Sequence, residues 1–433
     1  MTELSTPRPS SERAAALACL AIGLIAGLAM VFLVFEFQPL VRDKFDPYYF
    51  GQMGESLARG EGFARYGVLL KRRSPLYPLV IGAVYSLFGV HPRLVLLLQV
   101  VCLGVTCWLV YDMGRRVFNI RTVIIAGIAC ALHPLMLRYV ADLHLETLLT
   151  CLFTLTVWCS VRFYQRPSIV TGLCLGLSGA AAALTKAVVI LYPALFLGTY
   201  LLLRYMRPTT RRTAAPSWGA LAAVPIAMIV LIAPWTIRNY YATNGKFVLI
   251  STGFSDAFLR GYVFTKTDYA LLRRPPYTDA ENEANLWFRS LAIAAGTQFE
   301  KDDYETEQVL SRVAREKLKS DPGAFVRKSI VGLFTFWYEM TNLKNSVLTG
   351  GLAVVAWVFA LIGVRRAWNE GQPIWMFLLP AIYLNLLLAV LLALGRYSAP
   401  VIPALLVASA FGVDTLISRQ RPLSGPQQVS QGR

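Results

Sequence analysis

Isolated acids and bases that follow long apolar runs are the residues of this 433-residue chain that could do chemistry. Asp46 stands in "KFDPYYFG", just after the first apolar run, and Lys71, Arg72 and Arg73 follow in the same polar stretch. A carboxylate can accept the proton of an attacking hydroxyl, and lysine or arginine can neutralise a phosphate. The combination predicts displacement of a phosphate leaving group, which needs charge neutralisation rather than protonation.

Further isolated charges recur where later apolar runs begin or end. They are Arg138, Asp142, His144, Glu146, Lys186, Arg238 and Arg396. Ionisable groups at membrane depth are costly, so they usually face one another or a cavity. If these ends share one membrane face, the scattered acids and bases converge on a single site.

The elements that must position these residues are membrane helices. Of all residues, 56% are hydrophobic and 15% are charged, whereas about 25% are charged in an ordinary soluble domain. The uncharged run 14–35 exceeds the roughly 20 residues that cross a bilayer core as a helix. We therefore predict an all-α polytopic membrane protein.

The net charge of +17 has a topological explanation rather than a nucleic-acid ligand. Arginines occur in short clusters between apolar runs, as the positive-inside rule requires of cytoplasmic loops. The clusters are Arg115/Arg116/Arg121, Arg162/Arg166, Arg204/Arg207/Arg211/Arg212, Arg365/Arg366 and Arg419/Arg421. Placing every cluster in the cytoplasm predicts about ten transmembrane helices with both termini inside.

This topology divides the chain into five parts. Residues 1–13 form a cytoplasmic N-terminus, and 14–237 an N-terminal transmembrane module whose outer loop, 36–91, carries Asp46. Within that loop the apolar run 74–89 is short for a span, which predicts a juxtamembrane helix on the outer face. Residues 238–345 form a large outer loop with amphipathic helices, 346–418 the C-terminal transmembrane helices, and 419–433 a cytoplasmic tail.

No residue pattern predicts a metal site. All seven cysteines fall inside apolar runs, and the three histidines lack the spacing of metal ligands. His91 and His133 each precede a proline at a helix boundary, which favours a structural role.

Seven segments, in order, make the chain resemble the lipid-phosphate-sugar-dependent GT-C glycosyltransferases, the group of protein O-mannosyltransferases and aminoarabinose transferases. The segments are "FDPYYFG" (45–51), "RRSPLYPLVIGAVYSLFG" (72–89), "HPLMLRYVADLHLETLL" (133–149), "ALTKAVVILYP" (183–193), "PWTIRNY" (234–240), "DPGAFVRKSIVGLFTFW" (321–337) and "GRYSAPVIP" (395–403). The resemblance implies a GT-C-like bundle with amphipathic juxtamembrane helices on its outer face.

The resemblance also implies roles for single residues. Asp46 matches the catalytic aspartate of the family, and Arg73, together with Lys71 and Arg72, takes the place of a basic residue near the donor phosphate. The remaining matches are Lys186, Arg238 and Arg396 for cations of the donor cavity, and Asp142 or Glu146 for a second acid. We favour Glu146 because of its spacing after Tyr139.

Pro47 departs from the family pattern. Many relatives carry a second acid at this position, so a two-carboxylate metal site at 46–47 is excluded and a divalent-cation cofactor is disfavoured. Other readings of the candidates stay open. Asp46 could simply cap the helix that Pro47 begins, and Lys186 could extend its amine towards the membrane surface.

The sequence thus predicts an integral inner-membrane glycosyltransferase whose site faces the periplasm. Its partners would be a polyprenyl-phosphate-linked monosaccharide, a lipid, glycan or protein acceptor, and membrane lipids, with no nucleic acid. The rival hypothesis is a transporter or flippase for a lipid-linked or anionic solute, which would also place charges inside a membrane.

Overall fold

The computed structural model describes residues 10–35, 46–65, 68–69, 73–206, 215–265, 277–299 and 303–419. The first half contains α1 (Ser10–Phe35), α2 (Asp46–Ala58), the two-residue strands β1 (Ala64–Arg65) and β2 (Val68–Leu69), α3 (Leu76–Phe88), α4 (Pro92–Arg115), α5 (Ile120–Ala131), α6 (Pro134–Val140), α7 (Glu146–Gln165), α8 (Ile169–Thr185), the 3-10 turn Ala187–Val189 and α9 (Tyr192–Met206).

The second half contains α10 (Trp218–Ala242), α11 (Phe254–Phe264), α12 (Tyr277–Ala294), α13 (Asp303–Ser320), α14 (Pro322–Tyr338), α15 (Leu343–Glu370), α16 (Trp375–Val390), the 3-10 helix Gly395–Val401 and α17 (Ile402–Arg419). The only strands in the described residues form the antiparallel hairpin β1–β2. The predicted all-α membrane fold is confirmed.

Helix starts follow from local sequence signals. Asn119, Ser217 and Asn342 each accept a hydrogen bond from the backbone N–H three residues later, at the starts of α5, α10 and α15. Proline occupies the first turn of α4, α6 and α14, where its missing N–H is not needed. His133 accepts a hydrogen bond from the Leu135 N–H and so caps α6, a structural role as predicted.

Seven stretches of the described residues are long and apolar enough to cross a membrane. They are Ser10–Val34, Pro92–Arg115, Glu146–Gln165, Ala187–Met206, Trp218–Ala242, Leu343–Glu370 and Gly395–Ser418, and the pair α5 and α6, bent by 47°, makes an eighth if counted as one span. The remaining two of the ten predicted spans coincide with α8 and α16, which are apolar but only 17 and 16 residues long.

Burial separates central helices from peripheral ones. The apolar windows of α4, α7 and the 395–418 stretch are 61%, 67% and 72% buried, whereas those of α1 and α15 are 22% buried, as expected of lipid-facing helices. Glu146 begins the central helix α7, and Arg396 lies at the start of the 395–418 stretch. Two candidate residues therefore stand at the ends of the most enclosed helices.

Two features hold the outer elements together. Gly54 and Gly82 let α2 and α3 approach closely, because a Cβ at Gly82 would lie 2.8 Å from the Leu57 Cβ. A second apolar core, separate from that of the bundle, joins residues of α11, α12 and α13 to residues 391–394. Helices α11, α12 and α13 thus pack directly on the chain that leads to Arg396.

Candidate functional site

Two predicted cations meet on one aromatic ring. Lys186, at the end of α8, places its Nζ 3.4 Å from the centroid of the Tyr397 ring. Arg396 donates a hydrogen bond from Nη2 to the Tyr397 hydroxyl at 3.2 Å, and its guanidinium lies 5.0 Å from the same ring. An aromatic face attracts cations, so Tyr397 holds together two charges that are far apart in the sequence.

Helix α16 positions both sides of this cluster. The Tyr383 hydroxyl donates to the Val188 carbonyl at 2.6 Å, in the 3-10 turn that follows Lys186. At its C-terminal end the same helix leads through residues 391–394 into the 3-10 helix that carries Arg396. Helix α16 therefore contacts the chain next to Lys186 and also leads to Arg396.

A third cation of this region, Arg260, was not predicted. Its guanidinium on α11 is nearly buried and lies 2.8 Å from Asp256 and 2.9 Å from Glu281. Burial alone would lower the pKa of Arg260, but Asp256 and Glu281 raise it well above its usual range, and Tyr397 also raises it. Since two acids already neutralise it, Arg260 serves as a support beside the cluster.

The two candidate acids between α6 and the first turn of α7, Asp142 and Glu146, differ in their surroundings. The Asp142 carboxylate lies 3.1 Å from His144 Nδ1. Burial would raise the pKa of Asp142, but the hydrogen bond and charge of His144, with the charge of Arg138, hold it below its usual value. Asp142 is therefore an ionised group with partners inside its own turn.

Glu146 instead faces a cavity. The residue is 3% exposed and lines a cavity of about 10 Å³ together with Thr106, Thr150 and Ala399. A cavity of this volume has room for about one water molecule. The Glu146 Oε2 has no hydrogen-bond partner among the described residues. Ala399 belongs to the 3-10 helix of Arg396, so the cavity lies between Glu146 and that helix.

Arg73 lies against the first turns of α2. Its guanidinium is 5.7 Å from the Phe50 ring, which meets Tyr77 of α3 edge-on at 5.1 Å. Asp46 begins α2. The Asp46 side chain, and Lys71 and Arg72 altogether, lie outside the described residues, so their predicted roles stay predictions.

Gln99 connects the start of α3 to the turn between α6 and α7 and was missed by the sequence analysis. Its Oε1 accepts a hydrogen bond from the Tyr77 hydroxyl at 2.7 Å. Its Nε2 donates to the carbonyls of Tyr139, Val140 and Asp142, the last at 2.8 Å. One buried amide therefore fixes the start of α3, next to Phe50 and Arg73, to the turn that carries the candidate acids.

Arg238 joins α10 to the first outer loop. Its guanidinium lies 4.7 Å from the Trp235 ring and 5.5 Å from the Phe63 ring, and Nη2 reaches the Phe63 carbonyl at 3.5 Å. Phe63 and Trp235 also contact each other, with ring centroids 4.9 Å apart. These contacts anchor the segment after α2.

Within the part of the chain that the structure describes, no group of three or more histidine, cysteine or acidic side chains could hold a metal ion. The arrangement of described residues can instead bind an anion. Lys186 and Arg396 offer hydrogen-bond donors and positive charge of the kind that phosphate binds, and a carboxylate opens on the neighbouring cavity.

Comparison with known proteins agrees with the family resemblance of the motifs. Residues 72–237 match the family model of dolichyl-phosphate-mannose-protein mannosyltransferases. No curated protein sequence matches the chain.

Among solved structures, the archaeal oligosaccharyltransferase AglB from Archaeoglobus fulgidus, in complex with an inhibitory peptide and a dolichol-phosphate, is 14% identical with a TM-score of 0.56, over 93% of this chain and 50% of that one. ArnT from Cupriavidus metallidurans, bound to undecaprenyl phosphate, is 18% identical with a TM-score of 0.42, over 94% and 81% of the two chains.

The chain spans about half the length of the AglB structure. At such low identity the likeness to AglB concerns the fold. The family match is confined to residues 72–237, and the likeness to AglB supports the predicted architecture of membrane helices.

Proposed function

We propose that the protein transfers a monosaccharide from a polyprenyl-phosphate donor to an acceptor hydroxyl, at the outer face of the inner membrane. The observation that carries the proposal is the meeting of Lys186 and Arg396 on Tyr397, beside the cavity that Glu146 lines. The family match over residues 72–237 supports a sugar-transfer reaction. The dolichol-phosphate in the AglB complex supports a lipid-phosphate donor.

In the proposed reaction, Lys186 and Arg396 bind the donor phosphate, with Arg73 approaching from the first outer loop. The acceptor hydroxyl gives its proton to the Asp46 carboxylate as its oxygen attacks the anomeric carbon. The bond from that carbon to the phosphate oxygen breaks on the opposite side, and the electron pair leaves with the polyprenyl phosphate. One displacement inverts the anomeric configuration, and the cations neutralise the departing charge.

The two candidate second acids, Glu146 and Asp142, take different roles in the proposed reaction. Glu146 lines the small cavity, and its Oε2, which has no partner among the described residues, would accept a hydrogen bond from a water or a single hydroxyl group there. Asp142 is engaged by His144 and would hold the turn in shape. Lys71 and Arg72 are proposed as further phosphate contacts from their sequence position, and Arg238 as a support for the first loop at the edge of the donor cavity.

Transport is the competing function. The described cations lie where helices end: Lys186 follows α8, and Arg396 begins the 3-10 helix after α16. Charges at helix ends favour chemistry at the membrane surface, whereas transporters commonly bind their solutes near the midplane. The described geometry therefore supports transfer.

The test compares envelope glycans by mass spectrometry in a deletion strain restored with wild-type protein or with the Asp46→Asn variant. We expect the Asp46→Asn strain to lack the same sugar as the deletion strain while making normal amounts of folded protein. Asp321→Asn is the matched control, since Asp321 caps α14 from an exposed position and asparagine caps helices equally well. Wild-type glycans in the Asp46→Asn strain would end the catalytic assignment of Asp46.

A further inference from the structure

The segment that joins α16 to Arg396 is held by the outer part of the protein. This segment, residues 390–395, forms neither helix nor strand over 391–394 and leads directly into the 3-10 helix. A connection of this kind would be free to move unless neighbouring elements fixed it. Helices α11 and α14, both from the large outer segment, contact it or the end of α16 at four points.

The first contact point is a buried lysine. The Lys328 ammonium group on α14 donates a hydrogen bond to the carbonyl of Val390, the last residue of α16. Lys328 is 1% exposed, and its Nζ lies 4.5 Å from the Phe258 ring centroid on α11. Burial lowers the pKa of Lys328 to about 7. Such a position is costly for a lysine, and the last carbonyls of a helix are a favourable partner for it.

Two glycines provide the next contacts. Gly332, on α14, packs on the backbone of Ala389, and a Cβ at this position would lie 2.7 Å from both the Ala389 Cα and its carbonyl oxygen. Gly261, on α11, touches the Leu391 carbonyl so closely that a Cβ there would collide with it. Any larger residue at either site would push the segment away from the outer helices.

The fourth contact lies next to Arg396 itself. The Gly395 N–H donates to the Glu339 carbonyl, directly after α14, at 2.7 Å. Lys328, on α14, therefore holds the Val390 end of the segment, and Glu339, the residue after α14, holds the Gly395 end. The position of Arg396 is set by α14 as much as by α16.

We propose that Lys328 and Gly332 of α14 are positioning residues that set the placement of Arg396 for the donor phosphate. The inference rests on the proposed function, because it assigns phosphate binding to Arg396. It adds a role for α11 and α14: the helices that pack on the chain leading to Arg396 also shape its phosphate contact. Lys328 itself does not touch the donor, since its charge is directed to the end of α16.

The experiment measures binding of undecaprenyl phosphate and of undecaprenol to the purified, detergent-solubilised protein. Lys328→Met removes the bond to Val390 and also the buried charge, and Gly332→Ala pushes Ala389 aside. We expect both variants to bind undecaprenyl phosphate about ten-fold more weakly, the loss typical of a hydrogen bond to a charged group, and to bind undecaprenol as the wild type does. Gly351→Ala on α15 is the matched control, since a Cβ there meets no atom within 4 Å.

Binding of undecaprenyl phosphate by Arg396→Gln distinguishes a failure of the positioning role from a failure of the proposed function. If Arg396→Gln weakens undecaprenyl phosphate binding but Lys328→Met and Gly332→Ala bind like the wild type, the positioning role is wrong and the proposed function stands. If Arg396→Gln itself binds like the wild type, the donor site of the proposed function is wrong and the inference falls with it. Equal losses for undecaprenol and undecaprenyl phosphate would show general loosening, which also contradicts a specific effect on the phosphate contact.

Discussion

Replacement of Gln99 by leucine tests whether one amide holds the start of α3 to the turn between α6 and α7. In the wild type, Gln99 accepts a hydrogen bond from the Tyr77 hydroxyl at 2.7 Å and donates to the carbonyls of Tyr139, Val140 and Asp142. Leucine has nearly the same size but neither donates nor accepts. Both Gln99 and Tyr77 are buried, at 2% and 1% exposure, so water cannot replace the lost partner.

The size of the effect follows from the number of groups left without a partner. The amide has two protons, so it satisfies two of the three carbonyls at a time, and the Tyr77 hydroxyl is a third group. Each buried polar group that loses its partner costs about 1–3 kcal/mol. Partial relaxation reduces the sum, so we expect the free energy of unfolding to fall by roughly 3–5 kcal/mol.

The assay is reversible unfolding of the purified protein in mixed micelles of detergent and SDS, followed by tryptophan fluorescence. Gln165→Leu is the matched control, because Gln165 makes one side-chain hydrogen bond, from Nε2 to the Arg116 carbonyl at 3.0 Å. Gln165 is the last residue of α7, at the other end of this helix from Glu146. That variant should lose only about 1 kcal/mol and retain glycan transfer. Similar losses of stability in the two variants, or full transfer activity in Gln99→Leu, would refute the bridging role.

Two further predictions concern acidic side chains. Burial raises the pKa of Glu339 from 4.5 to about 8, so the folded protein holds this proton more tightly than the unfolded chain, and the stability this contributes is complete below pH 4.5 and lost as pH rises through 8. As pH rises from 5 to 8, the thermal midpoint of the wild type should therefore decrease relative to that of Glu339→Gln. The corresponding loss of unfolding free energy is at most about 5 kcal/mol. Parallel curves of midpoint against pH for the two proteins would contradict the pKa shift. In the second, Glu146→Gln should abolish glycan transfer, whereas Asp142→Asn should retain most of it, because Asp142 is engaged with His144. Glycan mass spectrometry of the complemented strains measures both, and the reverse order of activities would show that Asp142 is the second acid.

The candidate site residues could be selected along the chain because charges are scarce in apolar sequence. An isolated lysine or arginine outside the arginine clusters needs a reason to be there, and this argument selected Lys186 and Arg396 as candidates. The structure adds that Tyr397 holds them together. Ring contacts between distant segments leave no periodic trace in a sequence, so this bridge could not be read from spacing.

Other features were missed for identifiable reasons. Gln99 stands alone in an apolar run, and a polar side chain inside a membrane is energetically costly, so its position alone indicates buried hydrogen-bond partners. Arg260 pairs with Asp256 four residues earlier on α11, a helical spacing that is visible in the sequence, and with Glu281 on α12, a contact between helices that spacing does not predict. The hold of α11 and α14 on the 390–395 segment depends on one glycine from each helix and on the bond from Lys328 to the Val390 carbonyl, contacts that only the packed structure reveals.

The short lengths of α8 and α16 also differ from a simple division of the chain into spans of about 20 residues. Helix α8 ends at Thr185 because the chain becomes extended at Lys186, and α16 ends at Val390, where Lys328 binds its last carbonyl. Both helices stop early at the candidate site, and the two cations follow these breaks. Length alone therefore underestimates the number of apolar helices in such a bundle.

The most direct measurement is a cryo-electron microscopy structure of the protein in a nanodisc with undecaprenyl phosphate. The proposed function predicts the phosphate within hydrogen-bonding distance of Lys186 and Arg396, with the Asp46 carboxylate facing the same cavity and Arg73 nearby. An ordered undecaprenyl phosphate bound elsewhere, or an Asp46 side chain directed away from Arg73 and the phosphate, would contradict it.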